Sequence, residues 1–215
     1  MALKAIKIYD HGPSPNPWKV VILLEELDLP YVREAVDFAD AKKEPFISIN
    51  PNGRLPAIED PNTGMTLWES GAILEYLVET YDKEHKLSFE CGSRDYFLAK
   101  QWLHFQMSGQ GPYFGQAVWF TKSHPEKLKS ASERYIREIR RVSGVLDKFL
   151  QDKEYLVGGK FSYVDLAFIP WYLIMSWFDI DLASEFPSLD AWLSRQKVRP
   201  AIEKTLKARD AEPFI

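Results

Sequence analysis

A short segment near the amino terminus, Ser14-Pro15-Asn16-Pro17, has residue types that could cap a helix or activate a thiol. Asn16 is a favoured helix cap, and Pro17 suits the first position of a helix. A helix N-terminus also offers unpaired amide donors and partial positive charge, and both stabilise a thiolate placed there. Because one geometry serves both purposes, the segment predicts a helix start and leaves its chemical role open.

A second segment, Asn52–Ile58 (NGRLPAI), places a proline immediately before an apolar stretch. Pro56 is an ordinary residue for the start of a strand. A cis bond before Pro56 would also turn the backbone of Leu55 outward, and its N–H and C=O could then pair with an extended peptide. The segment therefore predicts the start of a strand and, with a cis bond, an edge that binds a peptide.

The third segment is Trp68–Leu74 (WESGAIL), where polar residues precede a helical pattern. Ser70 is a typical cap, and Glu69 places a favourable negative charge near the positive end of the helix. The N–H and hydroxyl of Ser70 could also hold a carboxylate while Glu69 attracts an ammonium. The free end of an amino acid presents both groups, so this segment is a second candidate ligand site.

The predicted elements around these segments alternate between strands and helices from residue 5 to residue 81. In order they are a strand at Ala5–Tyr9, a helix through Val20–Leu27, a strand at Tyr31–Val36, a weak helix at Lys42–Ile49, a hairpin of Leu55–Glu59 and Met65–Trp68, and a helix at Gly71–Tyr81. The order βαβαββα is that of a thioredoxin-like fold. All three segments therefore fall within one predicted domain.

From about residue 94 onward, the apolar residues follow only a helical period. One long amphipathic helix is predicted by residues that step by three or four: Leu128, Ala131, Tyr135, Ile139, Val142, Leu146 and Phe149. A further helix starts at a capping box in which Ser162 caps the helix and Asp165 returns the bond. We therefore predict an α/β thioredoxin-like domain over residues 1–82, a polar linker over 83–92 and an all-α helical domain over 93–215.

Composition excludes several classes of function. The 27 Lys and Arg residues are interspersed with 31 Asp and Glu residues, which argues against nucleic-acid binding. The longest apolar run, Ala167–Phe178, is shorter than the roughly 20 residues of a membrane-spanning helix, and lysines interrupt the first apolar stretch, so we expect a cytoplasmic protein. Cys91 is the single cysteine, without a CxxC partner, and the four histidines lack metal-ligand spacing, so we expect no metal.

These segments resemble the glutathione S-transferase family over nearly the whole chain. The resemblance to that family lies in Asn50–Ile58, Trp68–Leu74 and Gly158–Asp165. A narrower resemblance, to the branch with bacterial nu-class enzymes and fungal nitrogen-regulator-like (Ure-type) transferases, lies in Ser14–Asn16, Trp102–Pro112 and Glu133–Tyr135. It implies the cytosolic glutathione transferase fold, glutathione as co-substrate and a homodimer.

The resemblance also implies roles for individual residues. Asn16 would face the glutathione sulfur with Ser14 as a neighbouring donor, and Leu55 would pair with the cysteinyl backbone. Glu69 and Ser70 would grip the γ-glutamyl group.

The remaining implied contacts lie at the carboxylates of glutathione and at a pocket for the second substrate. Candidates for the carboxylates are Lys42, Arg54 and Arg134, although the stretch around Lys42 departs from the family in length and residue type. Tyr113 and Trp119, which follow a break at residues 109–112, are candidates for a pocket between the domains, and aromatic residues at such spacing are also typical of a core. Tyr9 is interpreted as a packing residue, because the branch with Asn16 does not use a tyrosine.

The expected function is glutathione transfer to a small hydrophobic electrophile, with the thiol activated by the protein. Disulfide reduction by two glutathione thiols is a second activity that the resemblance suggests. A transferase dedicated to one reactive intermediate of a biosynthetic route is also compatible with the sequence. The alternative of another class is a non-catalytic, glutathione-binding regulatory or docking protein.

Overall fold

A computed structural model describes residues 2–211 of the chain. These residues form two compact units, one of residues 2–88 together with 197–211 and the other of residues 89–196. The thioredoxin-like and all-helical parts predicted from the sequence are both present.

The first unit is built on a four-stranded sheet in the order β2-β1-β3-β4. Its strands are β1 at Ile6–Asp10, β2 at Tyr31–Ala35, β3 at Ala57–Asp60 and β4 at Met65–Trp68. β1 runs parallel to β2 and antiparallel to β3, which forms the predicted hairpin with β4. With α1 at Pro15–Glu26, α2 at Phe46–Ile49 and α3 at Ser70–Tyr81, the order βαβαββα is confirmed.

Helix α1 lies in the core of the first unit. Its residues from Pro17 to Leu24 are all buried, and it packs against both α3 and the last helix, α10, at Pro200–Asp210. An ion pair joins α10 to α1, since the guanidinium of Arg199 donates to both carboxylate oxygens of Glu26 at 2.8 Å. The last helix therefore packs within the sheet-containing unit, whereas the sequence analysis placed it in the helical domain.

The second unit is helical throughout its regular structure. Its helices are α4 at Arg94–Phe105, α5 at Gly111–Val118, α6 at Lys129–Leu150, α7 at Tyr163–Tyr172, α8 at Leu182–Glu185 and α9 at Pro187–Lys197. The predicted long helix and the predicted capping box correspond to α6 and to the start of α7. No helix among residues 2–211 has both the length and the apolar character needed to cross a membrane.

The sequence predicted a break in the helical structure at residues 109–112, but the structure has no break there. A π-helical turn at Gln106–Gln110 leads directly into α5, and a second one at Trp119–Ser123 follows it. A π-helical turn inserts an extra residue without ending the helix. Pro112 follows the first of these π-helical turns, as the second residue of α5.

Candidate functional site

The loop after β1 leads into α1 two residues earlier than the sequence predicted. Ser14 occupies the cap position, with φ −60° and ψ 126°, and Pro15 is the first helical residue. The prediction that Asn16 caps the helix was therefore wrong. The fixed φ of Pro15 suits the first helical position, and Asn16 becomes the second helical residue.

This earlier start changes which donors the helix offers. Pro15 and Pro17 have no N–H, so Asn16 carries the single backbone donor among the first three helical residues. The polar groups at this end of α1 are then the N–H and carboxamide of Asn16 and the hydroxyl of Ser14. Any thiolate stabilisation here depends on those side chains more than on a row of backbone amides.

Two side-chain contacts hold the loop before α1. The indole N–H of Trp18 donates to the carbonyl oxygen of Gly12 at 2.8 Å. The guanidinium of Arg33 lies 4.5 Å from the centre of the Trp18 ring and forms an ion pair with Asp10 at the end of β1. Because Trp18 is itself buried, these contacts fix the path of the chain on which Ser14 lies.

The Leu55–Pro56 peptide bond is cis, as the sequence analysis predicted. The Leu55 side chain is buried in a cluster with Tyr9, Phe46 and Ala57, against which Trp68 also packs. Neither the N–H nor the C=O of Leu55 makes a hydrogen bond with any other of residues 2–211. A buried side chain and an unpaired main chain are the features that an extended peptide needs for strand-like pairing.

The loop before Leu55 is ordered by Asn50. Its carboxamide donates to the carbonyl oxygen of Arg54 at 2.6 Å and accepts from the N–H of Asn52 at 2.9 Å. Gly53 has φ +61°, and a Cβ there would lie 2.9 Å from the Ala41 carbonyl oxygen and 3.1 Å from Cγ of Lys42. The loop therefore brings Lys42 beside the segment that carries Arg54, and both cationic side chains are exposed.

At the start of α3, Glu69 and Ser70 differ in their exposure to solvent and in their position relative to the helix. Glu69 is exposed, occupies the cap position and has φ +72°, whereas Ser70 is buried and is the first helical residue. The prediction of Ser70 as the cap was therefore wrong by one residue. A left-handed glutamate costs about 1 kcal/mol or more, and such conformations cluster at functional sites.

Lys19 is a residue that the sequence analysis missed. Its side chain is 1% exposed, and its Nζ donates to Oγ of Ser70 at 3.3 Å. Burial lowers the pKa of Lys19 to about 7, and the negative charge of Glu69 acts in the opposite direction. The signal in the sequence was a single charged residue within the apolar run from Trp18 to Leu24.

Tyr9 lies where the sequence analysis placed it, in the packed interior. It is 5% exposed, its ring packs edge-on against Phe46, and its hydroxyl donates to Glu59 at 3.1 Å. Burial raises the pKa of this hydroxyl, and the bond to Glu59 raises it further. These are the contacts of a packed strand residue.

The three candidate residues of the second unit differ in their surroundings. Tyr113 is half-buried, 6.5 Å from the ring of Tyr135. Trp119 is 48% exposed, with its ring 6.1 Å from that of His124. Arg134 is exposed on α6. Tyr113 and Trp119 thus belong to a partly exposed aromatic surface along α5, the π-helical turn after it and α6.

Three comparisons with known proteins bear on these features. The glutathione S-transferase N-terminal domain family matches residues 4–79, and the C-terminal domain family matches residues 112–200. The chain belongs to the glutathione S-transferase family. Glutathione is the co-substrate of this family. Among residues 2–211 no group of three or more His, Cys, Asp or Glu side chains is arranged to hold a metal ion.

Individual members of the family are similar over almost the whole chain. A glutathione S-transferase-like protein of Beauveria bassiana is 50% identical over 215 residues, covering 98% of each chain. The transcriptional regulator URE2 of Saccharomyces cerevisiae is 34% identical and covers 95% of this chain and 68% of its own. The glutathione transferase URE2P6 of Phanerochaete chrysosporium, solved in complex with oxidized glutathione, is 45% identical with a TM-score of 0.93, covering 96% of this chain and 97% of its own.

Proposed function

We propose that this protein is a glutathione S-transferase that activates the glutathione thiol for attack on a small electrophile. The observation that carries the proposal is that contacts within the first unit connect the three candidate segments to one another. Lys19 lies one turn after Asn16 on α1 and contacts Ser70. Leu55 packs in the same cluster as Trp68, the residue before Glu69. We place the tripeptide on the surface that these linked segments share.

Each part of glutathione has a matching group on this surface. The N–H and C=O of Leu55 pair with the cysteinyl main chain, and Glu69 and Ser70 take the ammonium and carboxylate of the γ-glutamyl end. The thiolate lies at Asn16 and Ser14, whose polar hydrogens stabilise its charge. Lys42 and Arg54 are the candidates of this unit for the glycyl carboxylate.

In the reaction the bound thiolate attacks an electrophilic carbon of the second substrate. A carbon–sulfur bond forms, and the leaving group departs with the electron pair of the bond that breaks. The protein supplies position and electrostatic stabilisation, while glutathione is the nucleophile. We assign the second substrate to the surface with Tyr113 and Trp119, and Arg134 remains a candidate for a glutathione carboxylate.

Replacing Asn16 with Ala tests the assignment of the thiol site. We expect kcat/KM for glutathione and an activated chloronitrobenzene to fall about 10²-fold, the usual effect of removing one oxyanion-type donor. Binding of S-methylglutathione, which lacks an ionisable thiol, should change little. Asn62→Ala, in the turn between β3 and β4, is the matched control. Unchanged turnover in Asn16→Ala would move thiol activation to another residue.

Disulfide reduction is a second candidate activity, favoured by the relative from Phanerochaete chrysosporium that was crystallised with oxidized glutathione. One glutathione thiolate attacks the disulfide and releases a thiolate, and a second attacks the mixed disulfide to give oxidised glutathione and a second thiol. Because Cys91 is the single cysteine, both electrons come from glutathione. A disulfide assay coupled to glutathione reductase measures this activity.

The similarity to a transcriptional regulator supports an alternative hypothesis, in which this protein binds glutathione without catalysing either reaction. This non-catalytic hypothesis predicts that glutathione binds and that neither the conjugation assay nor the coupled disulfide assay shows turnover. Turnover in either assay contradicts it. Absence of glutathione binding by calorimetry contradicts all three functions.

A further inference from the structure

The Lys19 side chain lies inside the first unit, directly behind the residues to which we assign the γ-glutamyl end of glutathione. An ammonium is costly to bury, because the interior replaces its hydration poorly. Lys19 is nevertheless 1% exposed, and it donates to the Ser70 hydroxyl at 3.3 Å. This placement needs an explanation that packing alone does not give.

A negative charge acts on the Lys19 ammonium from the start of α3. Glu69 carries this charge. On the neighbouring β1, Asp10 is paired with Arg33, and at the other end of α1, Glu26 is paired with Arg199 and Glu25 with Lys204. The Ser70 hydroxyl and the Glu69 charge, which both act on Lys19, therefore lie together at the start of α3.

A hydroxyl that accepts from an ammonium donates its own proton to a further acceptor, and the positive charge strengthens that donation. We propose that Lys19 is a positioning residue for glutathione: it orients the Ser70 hydroxyl and places a positive charge behind the site of the γ-glutamyl carboxylate. This inference rests on the proposed glutathione-binding function. Lys19 touches no ligand atom and acts through Ser70.

The competing explanation is that Lys19 only fills space. A methionine has similar length and would fill the same space, and replacing a buried charge by an apolar residue of similar volume is often neutral or stabilising. Lys19→Met is therefore expected to fold. It removes the donor and the charge while keeping the volume, so it separates positioning from packing.

The test compares two ligands by calorimetry at pH 6.5. One is S-methylglutathione, whose capped thiol neither ionises nor reacts. The other is its analogue in which γ-aminobutyrate replaces the γ-glutamyl residue, so that the amine stays and the α-carboxylate is gone. We expect Lys19→Met to raise the Kd of S-methylglutathione about tenfold, as expected for a lost charge-assisted contact, and to change the Kd of the analogue less than about twofold.

Two further variants complete the comparison. Ser70→Ala should weaken S-methylglutathione, and adding Lys19→Met to it should cause little further loss, because Lys19 acts through the hydroxyl. Lys86→Met is the matched control, since Lys86 is exposed and pairs with Glu84; it should bind both ligands as the unchanged protein does.

Equal losses for both ligands, additive losses in the double variant, or no loss in Lys19→Met would each overturn the role of Lys19. In all three cases the unchanged protein still binds S-methylglutathione, so the proposed function survives. If the unchanged protein binds neither ligand, the proposed function fails and the role of Lys19 fails with it.

Discussion

At the scale of single residues, the candidate site combines a glutamate whose backbone is strained with a lysine whose amine is buried. Glu69 is held at φ +72° and is exposed, whereas Lys19 behind it is enclosed. Each is unfavourable in isolation. Their juxtaposition at the start of α3 fits the site that we propose for an ammonium and a carboxylate.

The buried amine should also make stability depend on pH. Because burial lowers the pKa of Lys19 to about 7, the unfolded chain binds more protons at this residue than the folded protein between pH 7 and about 10.5. Its contribution to the free energy of unfolding therefore rises with pH across that window. Lys19→Met has no buried ammonium, so this variant should be more stable than the unchanged protein by ~1–4 kcal/mol at pH 6.5. The difference in the free energy of unfolding between the two proteins should narrow towards pH 10.

Urea unfolding of the two proteins at several pH values measures that difference, and other titrating groups cancel in it. A difference that stays constant from pH 6.5 to pH 10 would show that Lys19 keeps an ordinary pKa in the folded state.

At the scale of elements, the start of α7 shows how one carboxylate organises a helix terminus. Asp165 is completely buried and accepts from the N–H of Leu156 at 2.9 Å, the N–H of Ser162 at 3.0 Å and the indole of Trp192 at 3.3 Å. It therefore ties the loop before α7 and helix α9 to the same point.

Asp165→Asn should destabilise the protein by about 3 kcal/mol. An asparagine replaces one acceptor oxygen with an NH₂ group, which leaves buried N–H donors facing another donor. The free energy of unfolding in urea measures the loss. Asp152→Asn, the same substitution at an exposed position, is the control and should change stability little. Equal midpoints for the two variants would mean that Asp165 is not the anchor.

The sequence correctly predicted the features of the helices and strands that depend on residues close together along the chain. The capping box at Ser162, the period of α6 and the order βαβαββα all follow from local spacing. The starts of α1 and α3 were each misplaced. In α1, Ser14 and Asn16 lie two residues apart and are both good caps, so that only the folded backbone selects one. Lys19 was missed because its contact with Ser70 spans 51 residues.

At the scale of the whole molecule, the sequence located the two kinds of architecture but not the packing of the last helix. Helical period is the same in α10 as in the helices of the second unit, so pattern alone cannot assign it to a unit. What assigns it is non-local: α10 packs on α1, and Arg199 pairs with Glu26, 173 residues away. The first unit is thus completed by the last helix of the chain.

This packing predicts that α1 depends on α10. Arg199→Met removes a bidentate partner from Glu26, whose side chain is only 8% exposed, and an unpaired buried carboxylate costs about 1–3 kcal/mol. Hydrogen exchange measured by mass spectrometry should then quicken in α10 and in α1 together, because α1 loses its cover. Lys204→Met is the control: the Lys204 side chain is 70% exposed, and without it Glu25 still accepts from the Tyr31 hydroxyl at 2.7 Å. Faster exchange in α10 with unchanged protection in α1 would mean that the first unit holds its core helix without the last one.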